Sequence, residues 1–368
     1  MIYVMTLSCK SEENQKQNQL IVGEWTLFKE ELNDQRKIDS TNIPGMEMGY
    51  KSGYTFREGG FCENKLGYHK DMESNDHKFL GTETKYRIHE NRLEIYDLTN
   101  QIWEGYEVLK LDNKILKLAL NDSVNVIYER SRYKLDPEIP FDQIIVSSSG
   151  CYGVCQINDV MVSRNGEVIF NNEQYTKKTG LFSSFMNLKE FDKAETKFRK
   201  ANLKMLKDRY MASWTDDNEI TISLVRNGRI YKTISDYGSQ SPTELYWAYL
   251  PITYLDQKLR LKSLPHSKFY KTRISSFEKE NKLIRLAKSE SFYLTDLLNK
   301  ADRVNTLFVE KYTLRAYGEQ GSLKITTDGR YFKMRLKNGK FTILDLGYDF
   351  LKENDLLKRL SDKLDYEK

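Results

Sequence analysis

The sequence predicts a β-rich α+β protein: an N-terminal up-and-down β-barrel, then an α+β domain of antiparallel hairpins with one or two covering helices. Three observations predict it. From Leu20 to Arg132 polar and apolar residues alternate in short runs broken by Gly, Asn and Asp, the pattern of strands joined by tight turns. Beyond Pro140, Asn-Gly pairs separate further alternating runs, and residues 187–206 change to a helical period. The composition, 39% hydrophobic, 30% charged and 12% aromatic with 24 tyrosines, belongs to a globular and not a disordered chain.

With 368 residues the chain is long enough for two or three domains, each with its own core. The segments are expected as follows: residues 1–19, a signal remnant and tether; 20–133, the barrel; 134–141, a linker; and 142–368, the α+β domain, with a subdivision near 265. The net charge of +5 comes from 58 basic and 53 acidic residues scattered over the chain. They form no basic stripe that would follow a phosphate backbone, so nucleic acid is not an expected partner. No apolar run reaches the roughly 18 to 20 residues of a spanning helix.

Met1 to Ser8 is a short apolar run ending in Leu-Ser directly before Cys9, and Lys10-Ser11-Glu12-Glu13-Asn14-Gln15 follows it. This resembles the end of a bacterial lipoprotein signal and the Lys-plus-acidic tether of surface lipoproteins of Bacteroidetes type. The resemblance implies lipidation of Cys9, a membrane partner reached through the lipid, and placement at the outer membrane or cell surface, with a periplasm-facing position second. The other reading of Cys9 is a thiol in an ordinary N-terminus.

Strands of the first domain are expected to begin near Gly23, Gly53, Phe61, Lys78, Arg92, Ile102, Lys114 and Ser123. Sequential strands with no intervening helix remove their edges by closing, hence a barrel. Gly23-Glu24-Trp25 and the final strand Val126 to Arg130 resemble lipocalin-like domains. That resemblance implies that Trp25 plugs one end of the barrel beside Arg130. Such a barrel either holds one small apolar ligand or is filled by its own side chains. His69, His77 and His89 show no ligand spacing and are read as surface or strand-edge residues.

Leu135 to Pro140 reads as linker. Ile144 to Ser147 and Ile157 to Ser163 alternate as strands with an Asn165-Gly166 turn after them, and Glu219 to Val225 pairs with Arg229 to Ile234 across Asn227-Gly228. Between them Phe191, Ala194, Phe198, Ala201 and Met205 form one helical face. This segment resembles an uncharacterised domain of Bacteroidetes-type lipoproteins with a Cys-Phe-Gly-x-Cys-Pro-x-Tyr signature. The matching residues are Cys151-Tyr152-Gly153-Val154-Cys155, Asn165-Gly166, Leu206 to Tyr210, Asp236-Tyr237 and Pro242; Gln156 and Asn158 stand where the signature has Pro and Tyr. The resemblance implies no activity.

From Ser267 onward, strands are expected over Lys268 to Phe277, Leu283 to Ala287, Leu307 to Arg315, Leu323 to Thr326, Tyr331 to Leu336 and Phe341 to Leu346. A helix is expected over Phe292 to Lys300, with turns at Asp328-Gly329 and Asn338-Gly339. Leu356, Leu357, Leu360 and Leu364 predict a packed terminal helix.

Cys151 and Cys155 are the principal chemical candidates. In a straight strand their α-carbons would lie about 13 Å apart, against the roughly 4.4–6.8 Å of a disulfide. Gly150 and Gly153 allow the chain to fold back, so a bridged loop is expected. Its rival is a redox or nucleophilic thiol pair. Zinc binding would need further donors, of which Cys62 and His266 are the remote candidates. Tyr152 either packs over the bridge or projects as a recognition residue. Asp216-Asp217-Asn218-Glu219 lacks the spacing of a calcium loop and reads as a solvated turn. No hydrolase, protease or nucleotide motif occurs, no catalytic set is assigned, and no cofactor is implied. The expected function is a lipid-anchored envelope protein that binds a small apolar ligand or an envelope protein, with a thiol-dependent redox protein or enzyme as the alternative.

Overall fold

The structure, a computed structural model, describes residues 14–32, 51–72, 76–133, 135, 140–264, 269–318, 321–335 and 339–363. The lipidation candidate Cys9 with its apolar run, most of the linker, His266, Asn338 and Leu364 lie outside the described residues, as does the side chain of His77. Contacts divide the chain into two compact units: the described residues up to Leu135 together with Thr243–Pro251, and those of Asp136–Pro242 together with Ile252–Lys368.

The first unit is a closed eight-stranded barrel in sequential order. Its strands are β1 (Gly23–Leu32), β2 (Gly53–Arg57), β3 (Phe61–Met72), β4 (Asp76–His89), β5 (Arg92–Asp97), β6 (Ile102–Leu111), β7 (Ile115–Ala119) and β8 (Val124–Arg130). All neighbours are antiparallel, and β8 closes onto β1 from Trp25↔Arg130 to Leu32↔Val124. The expected starts coincide with these or fall within two residues of them, because period-two alternation and local turns carry the signal. Glu90 and Asn91, both at positive φ (49° and 60°), form the tight β4–β5 turn.

Inward residues such as Leu93, Ile95, Leu116, Leu118 and Val126 are buried and form one cluster with Trp25 and Phe56. The rings of Tyr128, Tyr54, Phe56 and Tyr86 follow one another at centroid distances of 5.7, 5.6 and 4.8 Å. A helix over residues 14–21 (α1) leads into β1, although residues 14–19 read as part of a polar tether; its last residue, Ile21, is fully buried in the barrel cluster.

The second unit contains two eight-stranded sheets. The first runs β13 (Arg209–Met211), β15 (Arg229–Tyr237), β14 (Glu219–Arg226), β9 (Gln143–Ser148), β10 (Ile157–Ser163), β11 (Glu167–Gln174), β12 (Gly180–Phe185) and β16 (Lys262–Ser263). Only the β13–β15 pairing in it is parallel. The second runs β19 (Asp302–Val304), β23 (Phe341–Asp345), β22 (Tyr331–Arg335), β21 (Gly321–Thr327), β20 (Tyr312–Gly318), β17 (Arg273–Lys279), β18 (Lys282–Arg285) and β24 (Ser361–Asp362).

Helix α2 (Leu188–Lys200) is capped by Asn187, whose side chain accepts from Glu190 N, and it buries Phe191 and Phe198. Met205, expected on the same face, lies beyond the helix end and is 77% exposed. Helix α3 (Thr243–Thr253) was not expected; its residues 243–251 group with the barrel, where Trp247 Nε1 donates to Lys51 O at 2.7 Å.

Helix α4 (Lys288–Lys300) packs on β9, β10 and β14 of one sheet and β17 of the other, and nine of its residues are buried. Its polar residues are satisfied there. Ser289 N donates to Thr221 Oγ1 at 3.0 Å, Ser291 Oγ accepts from Ile274 N at 2.9 Å, and Glu290 accepts from Ala287 N at 2.9 Å and from Arg359 Nη1 at 2.8 Å. The helix therefore starts four residues before the expected Phe292.

Three expected elements are corrected. The strand expected over Lys268 to Phe277 begins at Arg273, after a turn over residues 269–271 in which Thr272 N donates to Phe269 O at 2.7 Å. The strand expected from Leu307 begins at Tyr312. The terminal helix is replaced by a short α5 (Phe350–Glu353), a 3-10 turn over Leu357–Arg359 and β24. The physical reason lies at Asn354 and Asp355. Asn354 Nδ2 donates to Phe350 O at 2.8 Å and its Oδ1 accepts from Ile230 N at 2.7 Å, while Asp355 sits at φ +56°, so the chain turns out of the helix.

Candidate functional site

The connection between β9 and β10 carries the bridged loop. Cys151 and Cys155 form a disulfide with α-carbons 5.7 Å apart, so the chain doubles back as a bridge of that spacing requires. Gly153 stands at φ +148°, in the region that favours glycine, and a Cβ on Gly150 would come within 3.1 Å of Ile157 Cδ1. The loop is tied to the start of β14: Ser149 N donates to Glu219 O at 2.9 Å, Glu219 N to Ser149 Oγ at 2.8 Å, and Tyr152 N to Asp216 O at 2.9 Å.

Tyr152 is 90% exposed. It does not pack over its own disulfide. Val154 and Trp214 are also exposed, and Trp214 Nε1 donates to Asp217 Oδ2 at 3.1 Å. The Asp216 to Glu219 carboxylates are employed locally: Asp217 Oδ1 accepts from Asn218 N at 2.8 Å and Glu219 from Ser235 Oγ.

Behind the loop lies a buried polar network that sequence reasoning missed. Gln156 Nε2 donates to Thr253 O at 3.1 Å and to Asp256 Oδ1 at 2.9 Å, and Asn158 Nδ2 donates to Thr253 O at 2.8 Å. Asn172, opposite Asn158 across β10–β11, donates to Lys178 O at 2.9 Å and to Asp256 Oδ2 at 3.3 Å. Burial raises the Asp256 carboxyl above its usual range while these donors act in the other direction. The network joins the residue after Cys155 to the turn after α3. Its sequence signal was the polar pair Asn158-Asp159 inside an otherwise apolar strand.

In the barrel, Trp25 is fully buried and directly opposite Arg130 on β8, whose guanidinium lies 4.3 Å from the indole centroid. Arg130 Nη1 donates to Val22 O at 2.6 Å and Nη2 donates to Leu20 O, so the cation meets the carbonyl end of α1. Trp25 Nε1 donates to Ile21 O at 2.7 Å. Gly23, at φ +142°, leaves room for the guanidinium: a Cβ there would stand 2.2 Å from Arg130 Nη1.

Cys62 is fully buried in the barrel, and burial pushes its thiol up to about 12. Burial also raises the Tyr54, Tyr68, Tyr106 and Tyr128 hydroxyls. His69 hydrogen-bonds Leu66 O at 3.2 Å and packs on Phe79; His89 is exposed. Among the described residues no cluster of three or more His, Cys, Asp or Glu could hold a metal ion, and no helix is long and apolar enough to cross a membrane.

The class these observations define is a β-rich α+β protein with a closed N-terminal barrel and a disulfide-bridged surface loop. Within it, residues 142–256 match a protein family described as Domain of unknown function (DUF6438). The match begins next to β9, contains the bridged loop, and ends at Asp256. No curated protein matches the chain.

Proposed function

We propose that this chain is a lipid-anchored protein of the cell envelope that recognises a protein partner through its bridged loop, and is not an enzyme. The observation that carries the proposal is Tyr152, 90% exposed on a loop fixed by a disulfide and by hydrogen bonds to β14 and the turn before it. A large aromatic projecting from a backbone tied in place is the kind of group that concentrates binding energy, because little backbone ordering entropy remains to be lost on contact. Lipidation at Cys9 rests on the lipoprotein resemblance of its surroundings, and the same resemblance favours the outer membrane or cell surface.

The Trp25–Arg130 closure supports a lipocalin-like reading of the barrel. The ring series Tyr128, Tyr54, Phe56 and Tyr86 fills part of the barrel interior with the protein's own side chains, which favours the loop over an apolar ligand as the seat of recognition. The test is a photo-crosslinking residue placed at position 152 of the full chain in its native cells, with position 193 on exposed α2 as control. A discrete adduct at 152, absent at 193 and lost when both loop cysteines are changed to serine, is expected. Identical patterns at the two positions would sink the proposal.

A further inference from the structure

Between β19 and β20 of the second unit the chain runs through residues 305–311 without joining a strand. In the sheet these two strands are separated by β23, β22 and β21, so the connection passes all three. It does so on the face away from the core. Phe332 and Ile325 belong to the hydrophobic cluster, and their neighbours Tyr331, Lys333 and Thr326 therefore point the other way. The Phe308 ring lies 5.7 Å from that of Tyr331, and Glu310 Oε1 accepts from Lys333 Nζ at 2.8 Å. Lys311 N then donates to Thr327 O at 2.9 Å as β20 begins.

Phe308 and Glu310 hold this arm to the sheet, and the residues alternating with them are left in water: Leu307 is 100% and Val309 75% exposed. Phe341 on β23 adds a third apolar group at 62% exposure. Lys333 Nζ lies 5.0 Å from its ring while bonded to Glu310, so the arm and the ring border one another. Single exposed aliphatics are ordinary, but three large apolar side chains gathered around one ion pair mark a contact surface.

The surroundings are basic. From Asp302 to Asp345 the sequence carries nine Lys and Arg against five Asp and Glu, a net +4 where the whole chain has +5. Asp345 is engaged by Arg330, whose Nε donates to it at 2.8 Å, and Glu310 by Lys333. Lys311, Lys324 and Arg335 are exposed around the arm. Nucleic acid would ask for aromatic faces on which bases stack and has no use for Leu307 and Val309. A protein partner would need a pocket shaped to a leucine that stands clear of its own chain, whereas a bilayer receives a protruding aliphatic without shape complementarity. We propose that this face docks on an anionic lipid surface, with Leu307 and Val309 entering the boundary between headgroups and acyl chains and Lys311, Lys324 and Arg335 at the headgroups. The inference rests on this face alone and needs neither Tyr152 nor lipid on Cys9.

The test is flotation of the purified full chain, carrying Cys9→Ser so that no lipid is attached, with vesicles of phosphatidylcholine alone or mixed with phosphatidylglycerol. Binding to the mixed vesicles is expected, falling as salt is raised, with little binding to phosphatidylcholine alone. Leu307→Asn combined with Val309→Asn is expected to weaken it by about tenfold or more, and Lys324→Gln combined with Arg335→Gln by about tenfold. All four side chains are exposed, so the fold should tolerate these changes. Lys193→Gln on α2, the control for charge alone, is expected to change binding by less than about twofold. The inference is overturned if neither vesicle binds, if both bind equally, if binding survives the loss of Leu307 and Val309, or if an acidic polypeptide or nucleic acid binds this face and vesicles do not. Crosslinking at position 152 reads a different surface, so either proposal can fail without the other.

Discussion

Gly23 and Arg130 are expected to be strongly coupled, and the sign of that coupling follows from the geometry at the end of the barrel. Arg130→Ala removes two charged hydrogen bonds to Val22 O and Leu20 O and a ring contact at 4.3 Å with Trp25. Discounted for partial exposure, the loss is about 3 kcal/mol. Gly23→Ala places a Cβ 2.2 Å from Nη1, so the guanidinium must leave and the same contacts are lost. Alanine at φ +142° adds about 1–2 kcal/mol of conformational cost, giving about 4–5 in all.

With Arg130 already removed, only that conformational cost remains. The double substitution should therefore lose about 4–5 kcal/mol, where simple addition gives about 7–8, a coupling of about 3. The assay is urea unfolding followed by hydrogen exchange in β1 and β8 peptides, which separates the barrel from the second unit. Additivity within about 0.5 kcal/mol would refute the packing account of Gly23.

Three further outcomes are expected. Replacing Cys151 and Cys155 by serine should cost about 2 kcal/mol, the loop-entropy value for so short a loop, measured by denaturant midpoint with and without reductant. The barrel should unfold in alkali: Cys62 and its tyrosine neighbours are neutral in the fold with raised ionisation, so their contribution is complete below the unfolded thiol value of about 8.5 and is lost as pH rises towards the folded value of about 12. Stability that held unchanged through pH 11, measured by barrel fluorescence, would count against it. Arg359→Ala should destabilise the second unit by about 2–3 kcal/mol, because Glu290, fully buried, then keeps only Ala287 N as a hydrogen-bond donor among the described residues; adding Glu290→Gln should recover part of the loss in thermal melts.

The barrel was legible because its signals are local, alternation along each strand and a turn between strands. The same is true of the loop, where two glycines and the spacing of Cys151 and Cys155 dictate a reversal. Helix α3 was not legible: Leu245, Trp247, Ala248, Tyr249, Leu250 and Ile252 are all buried, so no apolar stripe of helical period stands out, and Pro251 lies inside the helix. The terminal leucines misled for the opposite reason. Their helical spacing is genuine, but Asn354 spends its side chain on Phe350 O and Ile230 N, a tertiary contact that no local pattern reveals. The polar network of Gln156, Asn158, Asn172 and Asp256 depends on partners nearly a hundred residues apart, and the exposure of Tyr152 depends on how the loop is held against the turn before β14.

Differential alkylation of the protein in its native envelope, before and after reduction and resolved peptide by peptide, tests the central claim most directly. The account expects Cys151 and Cys155 to react only after reduction, Cys62 only after unfolding, and the Cys9 peptide to carry lipid. A Cys151/Cys155 pair that is free and reacts rapidly near neutral pH, with Cys9 unmodified, would contradict it and favour a thiol-dependent redox protein.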